Sequence, residues 1–536
     1  VMYDVLIIGA GFAGLTLAYQ LRKKSSDLRI AIVHDSSFPL DDISDKVGES
    51  FNEIGAVYFD QMLGLKEFMK ERYPRKLGMR FFKINESSYQ EMGYNNFTPN
   101  HAFHFERGKL ENDLFDLVKD KVDFYLNHKY LDFETVDGEK HVHVLDRNDK
   151  SSRTLKAHWL VDAAGLKKLL ARKFDLTHRL PLNHSSVWFR VGGGVNVDDF
   201  LPLTSDNPFT TENRSWSSIH LEGVGYWVWI LRLSENVTSV GIIFDENMYE
   251  FQDLATWEKT KLWLRDNVRV LMDYLDEEQF PIMDFRILRR FATQSDYWVS
   301  DERWALVGDA YGIWDPYYSN GFDLIGMQNT ILTELILAER AGQEIHQRIQ
   351  GANRFISDVM RGFAATFTDF YSRKDRWYYI CSKYNVDMAV YFPILATIVH
   401  NSLESMFVDE DPVFRDRVLF YLEEGGGIYF QLIQLLASDE FKNNGVDGYD
   451  YMPLNADTYH AFVPEMDIPY HEKERVFPIL EKNCNLLWCV FHYLKSGRNY
   501  MDFIKNGAYF AITEQTDPER YRDNPDQLEA DLFHSA

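Results

Sequence analysis

The stretch YDVLIIGAGFAGLTLAYQLRKK, residues 3–24, narrows the possible folds more than any other part of the chain. A short apolar strand runs into glycines spaced Gly-x-Gly-x-x-Gly (Gly9, Gly11, Gly14), and a helical pattern begins with Phe12 and Ala13 inside the turn. In such a unit Gly9 permits the tight turn, Gly11 lets a pyrophosphate approach the backbone, and Gly14 lets helix pack on strand. The helix start offers free N–H groups and partial positive charge to phosphate oxygens. LRIAIVHDSS, residues 28–37, supplies a second strand, so the opening is βαβ and implies a parallel sheet. The slot for an acidic ribose partner, about twenty residues on, holds His34 with Asp35 beside it, and either side chain can accept a ribose hydroxyl.

The rest of the chain alternates between two patterns. Residues 53–70 have helical spacing, whereas LGMRFFKI, VDFYLNHKYLDFETV and KHVHVLD alternate as antiparallel strands do. HWLVDAAG (158–165) reads as another buried strand with a small-residue turn. Residues 183–245 alternate again, which predicts a second, mainly antiparallel sheet. RWALVGDA (303–310) is a last buried strand, feeding a helix that runs to about Gly342. Residues 350–536 are helix-rich, with expected breaks at EEGGG (423–427) and around 443–470.

Charge and composition remove several function classes. Among 536 residues the net charge is −25, and no basic stripe is present to neutralise phosphates or an anionic membrane, so neither nucleic acid nor membrane is expected as a partner. The longest apolar candidate, YFPILATIV near 391–399, is too short to span a bilayer and carries Pro393. Three cysteines at irregular spacing fit neither a disulfide framework nor a zinc site; no metal is expected, and a reducing cytoplasm is. The 12 Trp, 30 Tyr and 39 Phe suit either an aromatic core or a pocket for a flat ligand.

Two later strand ends distinguish FAD from NAD. VDAAG (161–165), with Ala164 and Gly165, and VGDA (307–310), with Asp309, are similar to the other two segments that meet the cofactor in the glutathione-reductase-like FAD fold. Arg107 in FERGKLENDL stands where that fold carries an arginine after the small-domain strand. No second Gly-x-Gly-x-x-Gly unit is visible for NAD(P)H, so the flavin would be reduced elsewhere.

Four further segments, KVGES (46–50), YPRKLGMRF (73–81), YWVWILRL (226–233) and IWDPYYSNG (313–321), occur in the order found in flavin-dependent halogenases. The chain resembles that family over roughly its first 340 residues, on the phenol and pyrrole side of it. The resemblance implies an α/β, FAD-binding glutathione-reductase-like (Rossmann) fold with an antiparallel-sheet substrate domain and a helix-rich C-terminal extension. Residues 1–345 would form the halogenase module, with FAD-binding parts at about 1–70, 100–180 and 300–345 and the substrate-side sheet at about 71–99 and 181–299. Residues 346–536 would cover the substrate. FADH2, supplied by a separate flavin reductase, and O2 would give a flavin C4a-hydroperoxide that oxidises halide to hypohalous acid. A small electron-rich aromatic substrate, free or carrier-bound, would then be halogenated.

Carried over by position, Lys76 matches the catalytic lysine, and Trp227 and Trp229 match the Trp-x-Trp wall between flavin and substrate. Pro316, Ser319 and Gly321 match the Pro-x-x-Ser-x-Gly turn, with the amides of Asn320 and Gly321 at the halide position. Val47, Glu49 and Ser50 fall on the loop near the flavin ring, with Glu49 and Ser319 as further catalytic candidates. Three positions depart from the family pattern. Leu231-Arg232 replaces Ile-Pro, Ile313 replaces Phe, and Tyr318 fills the slot of the glutamate of tryptophan halogenases, which disfavours free tryptophan. A flavin monooxygenase or epoxidase, and a non-catalytic flavin-binding scaffold, are the alternative expectations.

Overall fold

In the computed structural model, which describes residues 1–43, 46–94, 102–408, 411–438, 441, 450–454 and 468–495, strand Met2–Ile8 lies inside an eight-stranded sheet. It pairs in parallel with Ile30–Val33 on one side and with Ser152–Asp162 on the other, and Trp304–Leu306 adds in parallel beyond Ser152–Asp162. Val5, Leu6 and Ile7 are buried on both faces, as expected for strands covered by helices. Every parallel neighbour ends on the same side of the sheet, so the turns after Ile8, Val33, Asp162 and Leu306 converge on one edge. Ligands of open parallel sheets bind at such carboxyl ends. The alternating segments at 128–146 form a hairpin, His128–Val136 with Glu139–Asp146, that extends this sheet.

A second eight-stranded sheet runs Ile282–Leu288, His184–Gly192, Val237–Asp245, Tyr226–Arg232, Ser218–Gly223, Met79–Ile84, Tyr89–Tyr94, Tyr451–Leu454. Most pairs are antiparallel; Met79–Ile84 with Ser218–Gly223, and Tyr89–Tyr94 with Tyr451–Leu454, are parallel. One edge strand therefore comes from the chain's helix-rich last third.

One expectation needs correction here. The helix Pro412–Ala437 passes through EEGGG without a break. Three glycines cost such a helix about 1 kcal/mol each relative to alanine, and tertiary packing overrides that cost. A Cβ on Gly425 would stand 2.9 Å from Ile394, so the bare backbone allows the two helices to touch. Around 391–399 the chain widens into a π-helical turn, Tyr391–Ala396, at Pro393, and no helix among the described residues is long and apolar enough to cross a membrane. Proline has no N–H to give to the helix ladder, and π-turns often mark functional sites. Most of the expected break at 443–470, and everything beyond Lys495, lies outside the described residues.

Candidate active site

The convergent strand ends line a cavity of about 1220 Å³. Gly9, Gly11, Phe12 and Ala13 form its floor where helix Phe12–Lys24 begins. Gly9 has φ +110°, and an added Cβ would meet the Ala163 carbonyl oxygen at 2.4 Å. A Cβ on Gly14 would lie 2.1 Å from the Gly9 oxygen, so Gly14 packs helix on strand from behind and does not face the cavity. His34 is held at both ring nitrogens: Nδ1 accepts from the Ala10 amide (3.2 Å) and Nε2 meets the Ser36 hydroxyl (2.8 Å). Burial, reinforced by the nearby Lys46 charge, lowers its pKa to about 4 and keeps it neutral at pH 7. Asp35 pairs with Lys167 on the rim.

Farther along, the cavity passes Val47, Ser50, Arg107, Ala164, Gly165 and Asp309. Arg107 donates to the carbonyls of Val47 (3.2 Å) and Gly48 (2.9 Å) and to Glu111 (3.0 Å). Glu111, which the sequence did not single out, also accepts from the Phe12 amide (3.1 Å) and so ties the arginine to the dinucleotide helix. Burial raises the Asp309 carboxyl, with Arg107 and Lys168 opposing. Glu49 faces this cavity, locked to Arg190 at 2.8 Å, while Arg190 also grips Asp284. Cβ atoms added at Gly165 and Gly321 would meet nothing within 4 Å. The cradle therefore has bare backbone facing open space at both ends, a helix N-terminus, and the size to hold FAD.

The far end of the cavity is closed by aromatic groups. Trp227 and Trp229, two residues apart on Tyr226–Arg232, point to the same side and line it with centroids 5.8 Å apart. Trp227 Nε1 donates to Tyr371 (2.8 Å), and Tyr371 in turn donates to Asp315 (2.5 Å). A residue of the C-terminal helices thus fixes the indole against the turn that precedes helix Gly321–Arg340.

That turn is a partition. Pro316, Ser319 and Gly321 line the large cavity, whereas Tyr318 and Asn320 line a second cavity of about 90 Å³ on its other side. Ser319 adopts φ +55°, a left-handed conformation that non-glycine residues reach at a cost of about 1–3 kcal/mol. Its amide donates to the Pro316 carbonyl (2.8 Å), which holds the turn closed.

Lys76 lies in the second cavity, 3% exposed. Its ammonium donates to Asn52 Oδ1 (2.7 Å), and Asn52 Nδ2 donates to the Tyr318 carbonyl, so the lysine is tied to the partition itself. Burial lowers its pKa to about 8, with the charges of Glu53 and Asp323 pulling the other way. Around it stand Met79, Tyr94, Phe363, Met388, Tyr391 and Leu395, contributed by strands on one side and the C-terminal helices on the other. Asp387 accepts from the hydroxyls of Tyr318 (2.6 Å) and Tyr429 (2.7 Å) and pairs with Lys383. Asn52, Asp387, Tyr391 and Tyr429 escaped the sequence reading; the one available signal was a run of tyrosines in helical segments, which also reads as core.

Replacing Gly9 by alanine should weaken FAD binding at least tenfold, because the new methyl drives the strand end away from Ala163. Quenching of FAD fluorescence on titration measures this, and an unchanged affinity would show that the two strand ends separate freely.

Comparison with known proteins gives the site a lineage. Residues 2–341 match the FAD binding domain family. The chain is 26% identical over 391 residues to "Flavin-dependent halogenase chlA" of Dictyostelium discoideum, covering 67% of this chain and 64% of that protein, so just under two thirds of the relative is represented. It is 25% identical over 450 residues to "1H-pyrrole-2-carbonyl-[peptidyl-carrier protein] brominase" of Pseudoalteromonas luteoviolacea, covering 84% and 97% of the two chains. The fold is shared with halogenase PltM, solved in complex with phloroglucinol and FAD, at TM-score 0.64 and 17% identity over 92% of this chain and 96% of that one. FAD is the cofactor. With well over half of its length matched, the chain belongs to the FAD binding domain family, and its relatives there are flavin-dependent halogenases.

Proposed function

We propose that the protein is an FADH2-dependent halogenase acting on a small electron-rich arene. The observation that carries this reading is the placement of a buried amine, Lys76, in a cavity separated from the flavin cavity by the Pro316–Gly321 turn. In a monooxygenase or epoxidase the organic substrate must sit against the flavin; here Trp227, Trp229 and the turn occupy that approach.

FAD would lie on Gly9–Ala13, Ala164–Gly165 and Asp309, with Arg107 and the ends of Val47–Ser50 along its length and His34 or Asp35 near the ribose. Bound as FADH2, which a separate reductase supplies, it provides the reducing equivalents with which dioxygen converts halide to hypohalous acid. The amides of Asn320 and Gly321, at the start of a 20-residue helix, would hold the halide, since helix starts attract anions. Hypohalous acid then crosses the partition. The neutral Lys76 amine displaces hydroxide from the halogen, giving a haloamine and water. The arene carbon takes the halogen from nitrogen, and the ring proton leaves with regeneration of the amine. Glu49, gripped by Arg190, serves as an anchor of the flavin loop. Ser319 fixes the strained turn.

Supplying FAD, a flavin reductase, NADH, oxygen and chloride, bromide or iodide with a panel of phenols, pyrroles and carrier-tethered pyrroles tests the reading. Halogen-sized mass gains that require halide support it. Oxygenated products independent of halide would overturn it.

A further inference from the structure

Two helices of the last third, His346–Ala365 and Pro412–Ala437, lie side by side and wall the Lys76 cavity. They are tied at three levels. Arg415 lies so close to Gly351 that a Cβ there would stand 2.7 Å from it, Arg354 donates to Glu423 at 2.7 Å, and the hydroxyls of Thr366 and Tyr429 meet at 2.8 Å. Between the last two ties each helix contributes one glycine to the cavity wall, Gly362 and Gly426. A glycine inside a helix costs about 1 kcal/mol relative to alanine, so each needs a reason. Close packing supplies it for Gly351 and Gly425, but not for these two: a Cβ on either would meet nothing within 4 Å. What their bare backbone preserves is space along one wall of the cavity that holds Lys76.

Resting on the halogenase reading, we propose that Gly362 and Gly426 form a specificity-determining subsite, and that the substrate is a free, uncharged phenol whose short apolar substituent lies against them. The charge of the cavity selects the class. Its walls carry one amine, Lys76, against the carboxylates of Glu53, Asp358 and Asp387, and are otherwise mostly apolar, with Met79, Phe363 and Leu422 among them. Asp358 stands one turn before Gly362 on the same helix face. The neighbouring arginines are already paired, Arg361 with Asp358 and Arg354 with Glu423, both at 2.6 Å. A substituent ending in a carboxylate is therefore repelled at the glycine wall. A carrier-bound arene, whose pantetheine arm ends in a phosphate, meets the same acidic surroundings on a chain of net charge −25. Ionised carboxylates only accept hydrogen bonds, so the ring best matched to these walls is one that donates, as a phenol does. The glycines make and break no bond; they set which ring reaches Lys76.

The test compares the parent with Gly426→Leu and Gly362→Leu, which fill the subsite from opposite helices, and with Gly427→Leu, the same change at the next residue, which does not line the cavity. Leucine favours helix over glycine, and thermal melts check that each variant is folded. Bromination of 4-ethylphenol, phenol and 4-hydroxyphenylacetate is measured with reduced flavin, oxygen and bromide. In the parent, 4-ethylphenol should exceed each of the other two in kcat/KM by about tenfold. Gly426→Leu and Gly362→Leu should erase its advantage over phenol, and Gly427→Leu should keep it. Calorimetric titration of the flavin-free protein with 4-ethylphenol should show binding in the parent and in Gly427→Leu, and loss of it in the other two. An advantage that survives both cavity variants, its loss in Gly427→Leu, or a preference for 4-hydroxyphenylacetate or for a carrier-tethered pyrrole would overturn the proposal. Binding with this pattern in a parent that halogenates nothing with any halide would overturn the halogenase reading and leave the subsite standing. Halogenation without the pattern would overturn the subsite alone.

Discussion

Lys76→Ala should abolish halogenation of the arene, by about a thousandfold or more, equivalent to some 4 kcal/mol of activation free energy, while bromide-dependent formation of hypobromite continues. The separation of effects follows from the two cavities. Under the proposed function, halide is oxidised on the Trp227 side of the Pro316–Gly321 turn, and Lys76 acts from the cavity on its other side. Hypobromite should then accumulate in solution and be captured by a scavenger. Loss of scavenged hypobromite together with product would show instead that Lys76 serves the flavin cavity.

The same amine sets a pH dependence in two observables. A neutral Lys76 attacks halogen, so the halogen-transfer step should quicken as pH rises through about 8, the value to which burial lowers the amine. Stability moves in the same direction. The folded state releases this proton near pH 8 while the unfolded chain keeps it until 10.5, so stability rises with pH across that window. The rise amounts to about 3 kcal/mol at 1.36 kcal/mol per pH unit. Chemical melts at pH 7.5, 9 and 10.5, compared with Lys76→Met, isolate it; parallel curves would show that the amine is solvated.

How far the sequence reached differs from place to place. The strand–glycine–helix opening and the strand ends at 161–165 and 307–310 were legible because they are local: a few adjacent residues dictate the turn. Lys76 was legible only through motif spacing, since RKLG by itself looks like solvated surface. What no local pattern encodes is the far partner. Asn52 is 24 residues from Lys76, and Tyr371 lies 144 residues from the indole it holds. The glycine triplet misled for the same reason. Its first member, Gly425, leaves room for Ile394 from another helix, whereas Cβ atoms at Gly426 and Gly427 would meet nothing within 4 Å. His34 shows a milder version: the residue sits at the expected strand end, yet its ring is taken up by Ala10 and Ser36.

Asp387→Asn is expected to be the most damaging single change among the residues found only in the structure. Its carboxylate has about four acceptor positions, and Lys383, Tyr318 and Tyr429 between them use both oxygens. Burial pushes the carboxyl upward, with the Lys383 ammonium and the hydroxyls of Tyr318 and Tyr429 opposing. An amide in its place leaves the Lys383 charge buried without a counter-charge and turns an acceptor into a donor facing tyrosine. Breaking one side of such a pair costs about 3–5 kcal/mol, which in thermal melts of a chain this long is a drop of roughly 3–4 °C. Function should suffer separately, because Tyr318 bridges this cluster and the Asn52–Lys76 arm: its hydroxyl answers to Asp387 and its carbonyl to Asn52. Replacing both partners, Asp387→Leu with Lys383→Met, removes the stranded charge and should recover most of the lost stability without restoring turnover. Recovery of both together would mean that the cluster only fills space, whereas recovery of stability alone assigns it to the geometry of the substrate cavity.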